Sequence, residues 1–218
     1  NPHALELLGV DFSEINEEEV EKLLNGTFML KGSRPYAMCY AGHQFGYYVQ
    51  RLGDGRAINL GSVNGWNLQL KGSGITRYSR QGDGRAVLRS SIREYLMSEA
   101  MHALGIPTSR ALAIIGSEER VARERWESGA IVLRLAPSWI RFGSFEYFFH
   151  TNKHKELEIL ADFLLRESFP HLVGVENPYL KMYSETVKHK AELMAQWQSV
   201  GFNHGVMTTD NMSAIGIT

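Results

Sequence analysis

The chain has 218 residues, 44% hydrophobic and 22% charged, with a formal net charge of -1, the balance of a globular protein able to bury a sizeable core. The charges form no basic block, which excludes an electrostatic case for a nucleic-acid or anionic-membrane partner, and a single cysteine, Cys39, excludes an internal disulfide and reads as a small buried apolar residue. No apolar run approaches the roughly 18 to 20 residues that span a bilayer, and Asn1–Leu8 lacks a signal-type pattern, so the visible sequence reads as soluble.

Asp11–Leu24 places Val20, Leu23 and Leu24 among acidic residues, with Ser13 before Asn16 and Gly26 as a stop, and predicts a short peripheral helix. Tyr36–Phe45 is small and aromatic, with His43 in an expected turn and in a packing or hydrogen-bonding role. A glycine-rich segment, Leu52–Ala57, leads to a short strand over Ala57–Leu60, and Gly61–Gly65 turns the chain into Trp66–Lys71. There Trp66, Leu68 and Leu70 alternate with Asn67, Gln69 and Lys71, so one strand face is apolar and Lys71 lies on the polar one. A strand-end lysine between two glycine-rich segments, the second being Gly82–Ala86, has the ingredients of a phosphate site, because glycine admits an oxyanion to the backbone and lysine supplies a point charge.

Arg85–Leu104 predicts the longest early helix, with Ser91 and Glu94 as a capping-box pair, or with a start near Asp83, and with Ile92, Leu96, Ala100 and Leu104 as its apolar stripe. Glu94 and Glu99 are its acidic candidates for Lys71, and the local pattern does not separate them. Strands are expected at Ala111–Ile115 and Ala130–Leu135, with the charged stretch Glu118–Glu127 between them. Arg134 interrupts an apolar strand, where an unpaired guanidinium is costly; it needs an acidic partner or an anion, and Arg141 offers to join it as a phosphate clamp. Phe145–Phe149 and Glu156–Phe169 predict helices with core-facing stripes, and Glu185–Val200 a further one. His150 and His154 have the i, i+4 spacing of a metal pair but lack a third ligand. Phe202–Ser213 then gathers His204, Asp210, Asn211 and Ser213; the Asp-Asn pair offers a proton acceptor and an amide oxygen for Mg²⁺, or simply an Asx-type turn.

The order glycine hairpin, strand lysine, helix glutamate, acidic loop is that of a kinase-like fold, although the H-R-D-x-x-x-x-N and G-x-G-x-x-G patterns are missing. Longer motifs, Tyr40–Gly46 (Y-A-G-H-Q-F-G), Leu52–Ala57 (L-G-D-G-R-A), Leu68–Gly74 (L-Q-L-K-G-S-G), Gly82–Glu94, Ser98–Leu112, Ile140–Glu146 and His204–Ser213 (H-G-V-M-T-T-D-N-M-S), resemble the selenoprotein O family from Tyr40 onward. Thr208 stands where that family's pattern has asparagine.

The resemblance implies an α+β, protein-kinase-like fold with an N-terminal lobe over 1–136 and the start of a helical lobe over 137–218. It implies a protein adenylyltransferase that moves AMP from ATP to Ser, Thr or Tyr hydroxyls of protein substrates with Mg²⁺, Mn²⁺ being the alternative ion. The alternatives are kinase-type phosphoryl transfer and an inactive nucleotide-binding interaction module. Carried onto this sequence, Gly53, Gly55, Arg56, Lys71, Asp83, Gly84, Arg134 and Arg141 would hold nucleotide, Glu94 would pair with Lys71, Asp210 would be the general base and Asn211 a metal ligand. An Asp-Tyr-Gly motif is expected to follow a strand over Ser213–Thr218, so a further metal ligand and most of the helical lobe are expected outside this sequence. Neither nucleic acid nor membrane is an expected partner, and the compartment would be cytoplasmic in a bacterium or mitochondrial in a eukaryote.

Overall fold

A computed structural model describes residues 1–11, 16–24 and 31–217. The fold is α+β, and its chain contacts divide into two units, one made of Asn1–Met38, Gly53–Leu104 and Thr108–Pro137, the other of Cys39–Leu52, Gly105–Pro107 and Ser138–Thr218.

The first unit is built on a five-stranded antiparallel sheet. Strand β3 (Ala57–Val63) pairs with β4 (Trp66–Lys71), β4 with β7 (Trp126–Ala136), and β7 also with β5 (Ala86–Val87) and β6 (Arg110–Ala122). The β3–β4 turn is the Asn64-Gly65 pair, both at positive φ (48° and 78°) as a tight hairpin of this type requires; the first strand is therefore longer than Ala57–Leu60, and Gly61 lies at a register shift rather than in the turn. On one sheet face Leu60, Leu68, Leu70, Leu112, Leu133 and Leu135 pack with Ala4, Leu5 and Leu8, the first two of these from helix α1 (Pro2–Glu6). Period-2 alternation in β4 and β7 sends Gln69, Lys71 and Arg134 to the opposite face.

Helix α2 spans Glu17–Leu24, shorter than expected, with the Asn16 side chain accepting from the Glu18 and Glu19 amides; Ser13 and Gly26 lie outside the described residues. Helix α3 spans Leu88–Ala103 after β5. The expected start at Arg85 or Asp83 is thus corrected, and Ser91 is no cap but a buried residue inside the helix. The expected apolar stripe is also overturned: Ile92, Leu96 and Leu104 are exposed, while Ser91 and Met101 are buried. Polar pairing turns the helix, because Glu99 holds the buried Arg110 through both carboxylate oxygens (2.7–3.2 Å) and also accepts from the Ala111 amide. The stretch Glu118–Glu127 is no separate connection; it forms the far end of the β6–β7 hairpin, tied to α3 by Arg89–Glu127 at 2.8 Å.

The second unit contains the hairpin β1 (Gly42–Gln44) and β2 (Tyr47–Val49), helices α4 (Phe142–His150), α5 (His154–Ser168) and α6 (Pro178–Ser199), and a 3-10 turn at Pro170–Leu172. His43 therefore sits in a strand, not a turn; the turn is Phe45-Gly46. Helix α6 starts well before Glu185, with Pro178 in its first turn, where the missing N–H costs nothing. Leu164, Leu165, Phe169, Leu172, Met182, Leu193 and Trp197 are buried, but Phe149, Ile159 and Phe163 are exposed, so the expected core stripes are only partly inward. Beyond Ser213, which bridges to Arg141, the described chain turns rather than forming the expected strand. Cys39 is free and half-buried. Among the described residues no helix is long and apolar enough to cross a membrane.

Candidate functional site

In the first unit, three residues stand directly opposite one another on adjacent strands: Asn59 pairs in register with Gln69, and Gln69 with Arg134. Asp54, buried in the glycine-rich turn, accepts from the Met38 amide (3.1 Å) and the Asn59 amide (3.3 Å); Gln69 donates to Asn59 (3.0 Å); Arg134 donates to Gln69 and to Glu94 Oε1 (2.9 Å); and Lys71 Nζ donates to Glu94 Oε2 (2.5 Å). A continuous polar chain thus runs from the turn to the lysine, and Glu94, not Glu99, is the partner that Lys71 meets. Arg134 finds the internal acidic partner its position demands.

Burial, reinforced by the Arg134 charge and to a smaller degree by Arg56, lowers the Lys71 ammonium to about 8 against the raising effect of Glu94. Burial opposes ionisation of Glu94, but Arg134 and Lys71 outweigh it and hold the carboxyl at about 2. The excess of cations over carboxylates around Lys71 suits a polyanion. Arg56 is exposed and its guanidinium has no partner among the described residues.

The glycines have internal work. A Cβ on Gly53 would lie 2.4 Å from the Tyr78 ring, one on Gly55 3.0 Å from the Tyr78 carbonyl, and one on Gly84 2.0 Å from the Gly74 carbonyl. Gly84 is at φ 69°, so both conformation and close approach require it. Asp83 is engaged by Arg123 (2.7 Å), the main cause of its lowering to about 2, and accepts from the Arg85 amide.

In the second unit the turn over Thr208–Asn211, closed by the Asn211 amide on the Thr208 carbonyl (2.9 Å), carries Asp210. Asp210 is 6% exposed; its Oδ2 accepts from the Gln44 amide (2.7 Å), whereas Oδ1 is buried with no hydrogen-bond partner. Arg141 donates to the Asp210 carbonyl (2.8 Å) and lies 4.6 Å over the Tyr40 ring. Asn211 donates weakly to Thr208 Oγ1 (3.3 Å), which leaves its amide oxygen available. A buried carboxylate oxygen without a donor is costly unless a proton donor or cation meets it, and hard oxygen donors of these two kinds suit Mg²⁺ or Mn²⁺. No group of three or more His, Cys, Asp or Glu among the described residues could hold a metal by itself, so nucleotide oxygens and water would complete such a site.

His150 packs against Tyr48 (4.3 Å between centroids) and His154 against Phe149, which accounts for both histidines without a metal. His204 stacks on Trp197 at 5.2 Å, with its pKa lowered by burial and by Lys190, and Ser213 accepts from the Ile215 amide. The helices also form an open apolar groove of about 550 Å³ lined by Phe145, Phe149, His154, Leu157, Ala161 and Met182 among others, and none of the residues expected to hold nucleotide or metal with Asp210 and Asn211 lines it.

The family model for the protein adenylyltransferase SelO matches residues 1–218. The chain belongs to the SelO family. It is similar to the protein nucleotidyltransferase YdiU of Myxococcus xanthus, 54% identical over 223 residues that cover 100% of this chain and 46% of the relative. The YdiU protein of Thiobacillus denitrificans is equally similar, at 54% with the same coverage, and that of Pseudomonas aeruginosa PAO1 is 53% identical over 100% of this chain and 46% of its own length. The chain therefore spans about half the length of the curated relatives it matches. Within this SelO-family chain, the residues that sequence reasoning passed over are Asp54, Asn59, Gln69 and Gln44. Strand alternation carried the signal for Gln69, which shares a face with Lys71; Gln44 meets Asp210 only through the fold.

Proposed function

We propose that this chain carries the nucleotide-binding and proton-accepting parts of a kinase-like protein adenylyltransferase that transfers AMP from ATP to a Ser, Thr or Tyr hydroxyl of a protein. The observation that carries the reading, beside family membership, is the buried, partnerless Oδ1 of Asp210. In the reaction the acceptor oxygen bonds to the α-phosphorus while the bond from that phosphorus to the leaving pyrophosphate breaks, and the hydroxyl proton passes to Asp210 Oδ1. Lys71, held by Glu94, with Arg56 and Arg134, supplies fixed positive charge for the phosphates, and Arg141 adds a guanidinium fork beside the Asp210 turn. The backbones of Gly53, Gly55, Asp83 and Gly84 shape the nucleotide-facing turns. Asn211 Oδ1 would hold Mg²⁺ or Mn²⁺, which when bound neutralises phosphate charge. The bacterial relatives favour a cytoplasmic setting.

Supplying ATP labelled at the α- or the γ-phosphate tests the reading. Label from the α-phosphate is expected on protein, removed by Asp210→Asn. Label from the γ-phosphate alone would replace it with phosphoryl transfer, and nucleotide binding without labelled product would leave a nucleotide-binding interaction module.

A further inference from the structure

We propose that Gln44 is a positioning residue for Asp210, fixing which carboxylate oxygen receives the proton; this rests on the reading of Asp210 as proton acceptor. Among the described residues Gln44 is the one hydrogen-bond donor to that carboxylate, at 2.7 Å to Oδ2. A carboxylate tethered at one oxygen cannot rotate freely, and here the tether leaves Oδ1 as the buried oxygen without a hydrogen-bond donor. The strand that carries Gln44 is fitted closely to this task. Gly42, two residues earlier and so on the same strand face, has no Cβ where one would lie 2.8 Å from Asp210 Cβ and 2.9 Å from Oδ1.

The next residue in the strand braces the same turn. The His43 amide donates to Thr209 Oγ1 (2.8 Å), Thr209 donates to Glu146 Oε2 (2.6 Å), and the His43 ring meets Glu146 Oε1 (2.8 Å). From the other side the Gly143 amide donates to the Thr209 carbonyl (2.9 Å) and Arg141 to the Asp210 carbonyl (2.8 Å). The backbone of the turn is thus held by several groups, whereas the orientation of the carboxylate depends on Gln44.

The test compares wild type, Gln44→Met, which keeps the length and removes the donor, and Gln44→Glu, which replaces the donor by an acceptor, in the full 218-residue chain. Two quantities are measured: the ¹³C carboxyl resonance of Asp210, assigned by its loss in Asp210→Asn, and the kcat and KM of AMP transfer from ATP. Both variants should displace the resonance and lower kcat by about 10- to 100-fold, the usual loss when a group orienting a functional ligand is removed, with KM for ATP unchanged. Gln44→Asn, which keeps the amide but falls short of Oδ2, should behave alike and serves where Gln44→Met does not fold. An unmoved resonance, a retained kcat or a loss appearing in KM overturns the proposal. If wild type transfers no AMP, the adenylyltransferase reading of this chain fails separately, and the carboxyl resonance alone decides for or against Gln44.

Discussion

Replacing Lys71 by Met should make the protein more stable while weakening its hold on nucleotide. The Lys71 ammonium is lowered from 10.5 to about 8, a displacement worth about 3 kcal/mol at about 1.4 kcal/mol per pKa unit. The side chain is still 22% exposed, and solvent screening reduces the figure to about 1–2 kcal/mol. Methionine fills similar space without a charge, and Glu94 keeps Arg134 as its partner at 2.9 Å. At pH 7 thermal unfolding of Lys71→Met should therefore occur about 2–8 °C higher, given about 2–4 °C per kcal/mol for a chain of this size. The pH dependence follows with a definite sign. Because the folded value lies below the unfolded one, the unfolded chain binds more protons between about 8 and 10.5, and wild-type stability rises with pH across that window. The variant lacks this rise. Lys190, also lowered to about 8 by burial, contributes alike to both proteins and cancels in their difference. Nucleotide affinity, measured by titration calorimetry, should fall about 10- to 100-fold with the loss of a charge-assisted contact. A variant less stable than wild type by more than about 1 kcal/mol at pH 7 would refute the reasoning, for it would show that the ion pair outweighs the burial of its lysine.

Glu94→Gln removes the carboxylate shared by Lys71 and Arg134 and should cost about 2–3 kcal/mol in denaturant unfolding, somewhat less than the loss of a fully buried partner. The wild-type advantage over this variant should be complete above pH 4.5 and vanish as pH falls through about 2, because the folded carboxyl is held below its ordinary value. Gly42→Ala should push the Asp210 carboxylate aside and lower AMP transfer about 100-fold, as a displacement near 1 Å does, with nucleotide affinity intact; normal transfer would show that the turn yields freely.

The strand facts were legible because period-2 patterning needs only neighbouring residues: Leu68 and Leu70 went to the core and Lys71 to the other face, as the alternation requires. The rotation of α3 was not legible. Ile92, Leu96, Ala100 and Leu104 make a convincing stripe by spacing, yet Glu94 and Glu99 face Arg134, Lys71 and Arg110, and burying that charged side turns the stripe outward. The same rotation decides between Glu94 and Glu99, which sequence spacing leaves equal. His43 was misplaced because Phe45 adopts a positive φ of 51°, rare for a non-glycine residue, and so closes a hairpin where no local pattern announces one. In the second unit the Asp-Asn pair was visible, but its meaning depends on Gln44, which lies 166 positions away in the chain.

The polar chain from Asp54 through Asn59, Gln69, Arg134 and Glu94 to Lys71 has a consequence for how this protein can drift. Each member donates to or accepts from the next, so an isolated replacement at Gln69 or Asn59 strands two neighbours at once, while a matched change at both ends of one link need not. Single substitutions along this line should therefore be purged and paired ones tolerated. The residues should vary as a block, making the turn at Asp54 and the lysine at 71 one inherited character rather than two.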